Sequence, residues 1–299
     1  ELIMIPKVDK DPKTNKTKIE PILKAIQKEK ATIFAGVPDL YKVIYEHPTV
    51  KDFDLSSLKI CVSGGAPLNE NISKGFKALT GLDLVEGYGL SETSPLATAN
   101  PVFGQKKPNS VGLPVPQTEI KLVCLENPSE EAGADKEGEI CLRGPQVMKG
   151  YWNRPDETAI VMDKDGFFHT GDVGKRDNEG FLYITDRIKD MIIVKGYKVF
   201  PRKVEDAVLN ANKDKISEVI VIGIPDKETG EAVKMFVVPK EGQTITAEEI
   251  TRSLGTELST YEKPKHFEFR DSLPKTIIGK PDRKVIKAEE KAKRQGPKI

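Results

Sequence analysis

One short segment, YGLSET at Tyr88–Thr93, combines residue types that can bind a nucleotide together with its metal ion. The Tyr88 ring can stack on an adenine, and the Ser91 hydroxyl can reach a phosphate oxygen. The Glu92 carboxylate supplies the oxygen ligands that Mg²⁺ prefers. The same residue types are also typical of an ordinary helix N-terminus, where Ser and Glu cap the first turn. The segment favours a magnesium–nucleotide site without requiring one.

Two further segments carry small or acidic residues at turns. SGGAPLN, Ser63–Asn69, places glycines where backbone can approach a flat ligand, although a packing turn explains the segment better when it is taken alone. In HTGD, Asp172 can accept two hydrogen bonds from a ribose diol, each worth about 1.5–3 kcal/mol. An Asp turn is an equally good reading, and we interpret His169 as structural because the sequence offers it no nearby nucleophile.

Two Lys-containing segments follow in the C-terminal part. The segment DRIKDMIIVKGYKVFP, residues 186–201, joins a charged pivot to a strand and a Gly-containing turn. The simplest alternative is that Arg187 and Lys189 only form the solvated face of a linker. The segment LPKTIIGK ends at Lys280, which can neutralise both a carboxylate and an α-phosphate whose mutual repulsion opposes their reaction. Taken alone, Lys280 is better read as one more surface lysine.

The elements that must position these residues alternate between helix and strand from Ile19 to Gly89. Such alternation predicts a parallel, doubly wound sheet, whose ligands bind beyond the carboxyl ends of the strands. The Gly-rich turns after two of these strands are therefore the expected binding region. The predicted elements are a first helix near Ile19–Ile26, the strand ATIFAGV, the helix Pro38–His47, the strand LKICVSG, the helix Asn69–Leu79 and the strand DLVEGYG.

The remaining chain has two other patterns. Short apolar runs broken by Gly and Pro between Asn100 and Ile184 predict an antiparallel, β-barrel-like subdomain. A small mobile α+β lid domain follows, with predicted helices at Pro201–Leu209 and Ala247–Leu258. The predicted class is α/β, divided into a partial nucleotide-binding subdomain at 1–100, the β-rich subdomain at 101–185, a hinge at 186–190 and the lid at 191–299.

Composition excludes several protein classes. Lys and Arg total 47 against 46 Asp and Glu, so the strong basic excess of a nucleic-acid-binding protein is absent. The three cysteines are too few and too scattered to predict a disulfide framework or a metal cluster, which suits a cytoplasmic protein. No apolar run approaches the length of a membrane span.

In their order along the chain, these segments resemble the adenylate-forming, AMP-binding superfamily, and its acyl-CoA synthetase type in particular. The resemblance extends from about Ile19 to Lys280 and includes GEICLRGPQVMKGYWNRPDETA. It implies a ligase that joins a carboxylate to AMP and then transfers the acyl group to coenzyme A. The expected substrate is a medium- or long-chain fatty acid, and the expected cofactors are ATP/AMP, Mg²⁺ and coenzyme A.

The resemblance also implies roles for individual residues. Ser91 would contact phosphate, Glu92 would bind magnesium, and Lys280 would serve adenylation. Lys189 would be the hinge residue about which the small domain turns between adenylation and thioester formation. The implied nucleotide- and coenzyme-binding residues are Gly64, Gly65, Ala66, Glu86, Gly87, Tyr88, Gly89, Leu90, Asp172, Arg187, Lys195 and Gly196.

One feature of the family has no counterpart in these residues, namely its Ser-, Thr- and Gly-rich phosphate loop with a lysine. We therefore expect a fragment of a longer enzyme that binds AMP weakly and forms no acyl-adenylate alone. Two other readings stay open: an adenylation domain that loads a carrier protein, and a non-catalytic nucleotide-binding module. The sequence leaves the oligomeric state open, a dimer included.

Overall fold

The computed structural model describes residue 2, residues 18–275 and residues 281–295. The chain divides into two compact units. The first comprises Glu1–Thr170 and Gly174–Ile184, and the second comprises Gly171–Val173 and Thr185–Ile299. Both parallel and antiparallel strand pairs occur, so the predicted α/β class is confirmed. The finer division into four segments stays a prediction.

The first unit begins with a five-stranded sheet in which neighbouring strands follow chain order. Strands β1 to β3 pair in parallel, whereas β4 and β5 extend the sheet in the antiparallel sense. The antiparallel extension was not predicted. The five strands are β1 (Ile33–Gly36), β2 (Ile60–Ser63), β3 (Leu84–Gly89), β4 (Leu96–Ala99) and β5 (Leu113–Pro114).

Three helices accompany the parallel strands: α1 (Glu20–Glu29), α2 (Pro38–Glu46) and α3 (Glu70–Thr80). Their bounds agree with the predicted helices to within a few residues. Asn69 caps α3 by accepting a 2.8 Å hydrogen bond from the amide of Asn71. The fully buried Tyr41 donates its hydroxyl to the carbonyl oxygens of Phe34 (2.9 Å) and Val62 (2.8 Å), which fixes α2 against β1 and β2.

A four-stranded sheet with the order β6-β7-β8-β9 follows. Its strands occupy the region where short antiparallel strands were predicted, and β6 and β7 are antiparallel. A short helix that the sequence did not suggest, α4 (Pro155–Val161), lies between β7 and β8 in the chain. The strands are β6 (Glu119–Cys124), β7 (Gly138–Arg143), β8 (Phe168–Arg176) and β9 (Leu182–Arg187).

The second unit has its own sheet, with the order β11-β10-β13-β12 and β14 paired with β13. Alternate residues of its strands form two buried clusters, one with the helices α5 and α6 and one with Leu273 and with Ile286 of α7. Helix α6 ends five residues earlier than predicted. The elements are β10 (Ile192–Val194), β11 (Tyr197–Val199), α5 (Pro201–Ala211), β12 (Ile216–Asp226), β13 (Gly230–Pro239), α6 (Ala247–Ser253), β14 (His266–Phe269) and α7 (Arg283–Gln295).

None of the helices in the described residues combines the length and the apolar character needed to cross a bilayer.

Candidate functional site

The carboxyl ends of β2 and β3 lie side by side in the first unit. Ser63 pairs with Glu86 in the parallel register, and residues 64–66 follow directly after β2. An added Cβ on Gly64 would lie 3.5 Å from the carbonyl oxygen of Gly87, so the two predicted segments approach each other closely. Because ligands of parallel sheets bind at this edge, the structure brings the first two predicted segments to a suitable place.

The Glu86 carboxylate is buried and contributes to this turn. Its Oε1 accepts a 3.0 Å hydrogen bond from the backbone amide of Leu68, two residues after Ala66. The carboxylate therefore joins β3 to the turn after β2. A buried carboxylate needs such donors, because an unsatisfied charge is costly away from water. Glu86 thus has a positioning contact that the sequence did not predict.

Packing accounts for two of the predicted glycines. A side chain at Gly89 would overlap the carbonyl group of Pro95. At Gly87 a Cβ would lie 3.0 Å from the Leu96 side chain, so the antiparallel strand β4 covers this position closely. Gly65, by contrast, has a φ of 73°, a left-handed conformation that glycine adopts at little cost.

Tyr88 is only 8% exposed. Its ring packs in a core cluster with Ala97, Val111 and Leu182. The Tyr88 ring thus packs in the core of the first unit, and its stacking on an adenine stays a prediction.

The turn after β3 holds Ser91 and Glu92. Thr93 fixes this turn, because its buried hydroxyl accepts from the amide of Leu90 (2.9 Å) and contacts the carbonyl oxygen of Pro95 (2.7 Å). Ser91 is exposed and Glu92 is half-buried. Both side chains are therefore accessible from solvent, and their contacts with phosphate and magnesium stay predictions.

Tyr151 is a residue that sequence reasoning missed. Its hydroxyl donates a 2.9 Å hydrogen bond to Oε1 of Glu92. The amide of Met148 also donates to the Glu92 carbonyl oxygen at 2.7 Å, so the segment before α4 holds both ends of this residue. Burial, followed by the hydrogen bond to Glu92, raises the pKa of the Tyr151 phenol. Tyr151 lies in the segment GEICLRGPQVMKGYWNRPDETA, which is among the segments that carry the family resemblance. No sequence spacing links it to Glu92, which is 59 residues away in the chain.

Asp172 and Arg187 form an ion pair in the second unit. Nε of Arg187 lies 2.8 Å from Oδ1 of Asp172. The Asp172 side chain is 5% exposed, whereas that of Arg187 is 53% exposed. The two residues that the family resemblance assigns to the ribose region are thus direct neighbours.

Asp186 anchors the start of α5 in the same unit. Its carboxylate accepts from the amides of Arg187 (2.7 Å) and Arg202 (2.8 Å), the second of which is in the first turn of α5. Hydrogen bonds from the backbone amides at a helix N-terminus stabilise the ionised form of a carboxylate. Burial nevertheless dominates and raises the pKa of Asp186.

The residues predicted to serve as hinge and in thioester formation lie at the surface. Lys189 is exposed in a short turn, and its neighbour Asp190 accepts from Lys287 of α7 at 2.9 Å. The strand that the sequence predicts in this segment ends at Val194, before Lys195 and Gly196. They form the exposed two-residue turn between β10 and β11, and both have positive φ (51° and 83°), the backbone of a tight hairpin turn.

Lys280 lies outside the described residues. The predicted sites within the described part fall into three groups: the turns after β2 and β3 in the first unit, Asp172 with Arg187 in the second, and the surface residues Lys189, Lys195 and Gly196 of the second.

Comparison with known families assigns both parts of the chain. Residues 6–152 match the AMP-binding enzyme family, and residues 203–280 match the C-terminal domain of the same AMP-binding enzymes.

The chain belongs to the AMP-binding enzyme family.

Individual members of this family resemble the chain over nearly all its length. A long-chain-fatty-acid–CoA ligase of Bacillus subtilis (strain 168) is 45% identical over 292 residues, which is 97% of this chain and 50% of the relative. A ligase with the same name from Escherichia coli O157:H7 is 41% identical over 280 residues, 94% of this chain and 49% of the relative. The chain spans about half the length of the curated relatives it matches.

The fold agrees with that of solved AMP-binding enzymes. The crystal structure of ATP-bound MatB from Rhodopseudomonas palustris superposes with a TM-score of 0.82 at 32% identity, and the match covers 93% of this chain and 54% of that one.

Proposed function

We propose that this chain serves an enzyme that activates a carboxylic acid with ATP, releasing pyrophosphate, and then transfers the acyl group from AMP to coenzyme A. The observation that carries the proposal is the match of both chain regions to AMP-binding enzymes, together with 45% identity to a long-chain-fatty-acid–CoA ligase. The names of the relatives favour coenzyme A over a carrier protein as the acceptor, and a long-chain fatty acid as the acid.

The nucleotide would lie against the turns that follow β2 and β3. The close approach of Gly64 to Gly87 supports this role, since backbone without side chains can meet the flat face of an adenine. Residues 64–66 and 86–90 would line the base, and the exposed Ser91 hydroxyl would donate to a phosphate oxygen. Asp172 would accept from the ribose hydroxyls, with Arg187 beside it to contact ribose or phosphate.

Glu92 would hold the magnesium ion that accompanies ATP. Its Oε1 accepts from Tyr151, and among residues 18–275 and 281–295 no donor reaches Oε2. A half-buried carboxylate with one oriented and one available oxygen fits a hard cation that prefers oxygen ligands. When bound, Mg²⁺ would neutralise phosphate charge. Tyr151 would keep the carboxylate in one orientation.

The chemistry requires no protein nucleophile. The substrate carboxylate attacks the α-phosphorus in line, the bond to pyrophosphate breaks, and the thiol of coenzyme A later displaces AMP with loss of its proton. Positioning and charge neutralisation carry catalysis. Lys280 would neutralise the meeting anions during adenylation. The turn at Lys195 and Gly196 would serve thioester formation after rotation at Lys189.

A panel of acids, read by AMP release with and without coenzyme A, tests the activity in the complete protein that contains this chain. We expect release that depends on both coenzyme A and a long-chain acid. Asp172→Asn should raise the KM for ATP, whereas Asp177→Asn, a control carboxylate that bonds Lys107, should leave it unchanged. Release that no acid stimulates would refute the proposal. Brisk carboxylate-dependent pyrophosphate exchange by this chain alone would refute the expectation that it needs a phosphate loop.

A further inference from the structure

Three side chains with metal-binding atoms meet on the second sheet of the first unit. Glu139 and Cys141 are two residues apart on β7, and therefore on one face, and His169 lies on the neighbouring strand β8. Sγ of Cys141 is 3.4 Å from Nδ1 of His169, and the same nitrogen is 2.8 Å from Oε2 of Glu139. The three ligand atoms lie within 4.8 Å of one another.

We propose that Glu139, Cys141 and His169 form a binding site for a thiophilic divalent cation of the Zn²⁺ type. A tetrahedral zinc ion, at about 2.3 Å from sulfur and about 2.0 Å from nitrogen, separates those two atoms by about 3.5 Å. The observed separation of 3.4 Å already matches. Nitrogen and carboxylate oxygen would need about 3.3 Å, and a small rotation of the Glu139 side chain provides the increase from 2.8 Å.

Asp163 is in position to orient the histidine. Its Oδ2 lies 3.7 Å from Nε2 of His169, on the side of the ring away from the proposed metal. Lys121 binds this carboxylate at 3.1 Å, and the amides of Asp165 and Phe167 donate to its other oxygen. With Nδ1 on the metal, Nε2 would carry the proton toward Asp163, and a hydrogen bond between them requires the 3.7 Å separation to shorten by a few tenths of an ångström. A carboxylate behind a metal-bound imidazole is the usual arrangement that fixes its tautomer.

The chemistry of the thiol selects the cation. The Cys141 thiol is fully buried and lies 3.4 Å from Nδ1 of His169. A sulfur ligand combined with an imidazole nitrogen suits Zn²⁺, whereas Mg²⁺ and Ca²⁺ prefer sets of oxygen ligands. The side chains of His169 and Glu139 are 27% and 17% exposed, which gives the ion a path from solvent. The site is therefore separate in chemistry from the magnesium role proposed for Glu92.

Titration of Co²⁺ into the intact, reduced chain tests the site, because cobalt replaces zinc and reports sulfur ligation by a thiolate-to-cobalt charge-transfer band. We expect one bound ion, this band, and displacement by Zn²⁺. Cys141→Ser should abolish the band and weaken binding at least about tenfold. Cys124→Ser is the matched control, since Cys124 is the half-buried free thiol on β6, and it should retain both band and affinity.

A second variant keeps the test decisive if Cys141→Ser does not fold. Glu139→Gln preserves the shape of the side chain and its ability to accept from His169, and it should weaken binding about tenfold while the band persists. The proposal is overturned if Co²⁺ produces no charge-transfer band in the folded chain, or if the band survives in folded Cys141→Ser. Neither result depends on ligase activity.

Discussion

Replacing Arg283 with Met should destabilise the second unit strongly. The Arg283 guanidinium donates to the carbonyl oxygen of Val221 (3.1 Å), to Asp190 (3.3 Å) and to Glu205. Asp190 retains Lys287, but Glu205, whose side chain is 15% exposed, keeps only the amide of Val221 as a donor within the described residues. Breaking a buried ion pair costs about 3–5 kcal/mol, and we expect about 3 kcal/mol because some partners remain.

The pH dependence of this cost has a definite sign. Burial raises the pKa of Glu205, and Arg283 opposes that rise. Without Arg283 the pKa rises further above its unfolded value, so the folded variant binds a proton more tightly than the unfolded chain does. The variant therefore loses stability as the pH rises from the unfolded pKa of about 4.3 to the folded one. The difference in the free energy of unfolding between the parent and the variant should therefore be larger at pH 8 than at pH 5.

Hydrogen exchange of the two units, followed by mass spectrometry across a urea series, measures the effect for each unit. The loss should appear in peptides of β12 and β13, while the first unit keeps its parent protection. Arg202→Met is the control, since its more exposed pair with Asp206 (3.6 Å) should be worth less than about 1 kcal/mol. Adding Glu205→Gln should remove the pH dependence. A loss below about 1 kcal/mol at pH 8, or one equal at pH 5 and pH 8, would refute the reasoning.

Three shorter predictions concern the first unit and Lys280. Tyr151→Phe in the complete enzyme should raise the Mg²⁺ concentration for half-maximal adenylation about tenfold, because Glu92 loses its orienting donor. Tyr183→Phe, the control, should not raise it. If both variants require the same Mg²⁺ concentration, Tyr151 does not orient Glu92. Lys280→Ala should slow adenylation at least about a hundredfold but spare thioester formation from preformed acyl-adenylate. An equal loss of rate in both half-reactions would contradict this assignment of Lys280. Ser63→Ala should leave the free energy of unfolding unchanged or raise it by up to about 1 kcal/mol, since the buried Oγ of Ser63 has no hydrogen-bond partner in the described residues. A clear decrease in the free energy of unfolding, measured by denaturant titration, would contradict this prediction.

Local patterns predicted most of the elements. Helix α2 begins at Pro38 and α3 follows Asn69, where a fixed φ and a capping side chain define a helix start. The errors arose where the signal is not local. In the second unit, β10 ends at Val194, and its pairing with β11 places Lys195 and Gly196 in the turn between the two strands. The antiparallel pairing of β4 with β3 was missed, because periodicity reports burial and not the partner of a strand.

For the site, the sequence by itself determined which residue types are available at which turns, and the order of its motifs determined the family. Only the tertiary structure decided what each side chain contacts. It gave Glu92 a donor in Tyr151, covered most of Tyr88, and brought Cys141 to His169 although the cysteines look scattered in the chain. Contacts between residues this far apart depend on strand register and loop path, and a linear pattern records neither of these.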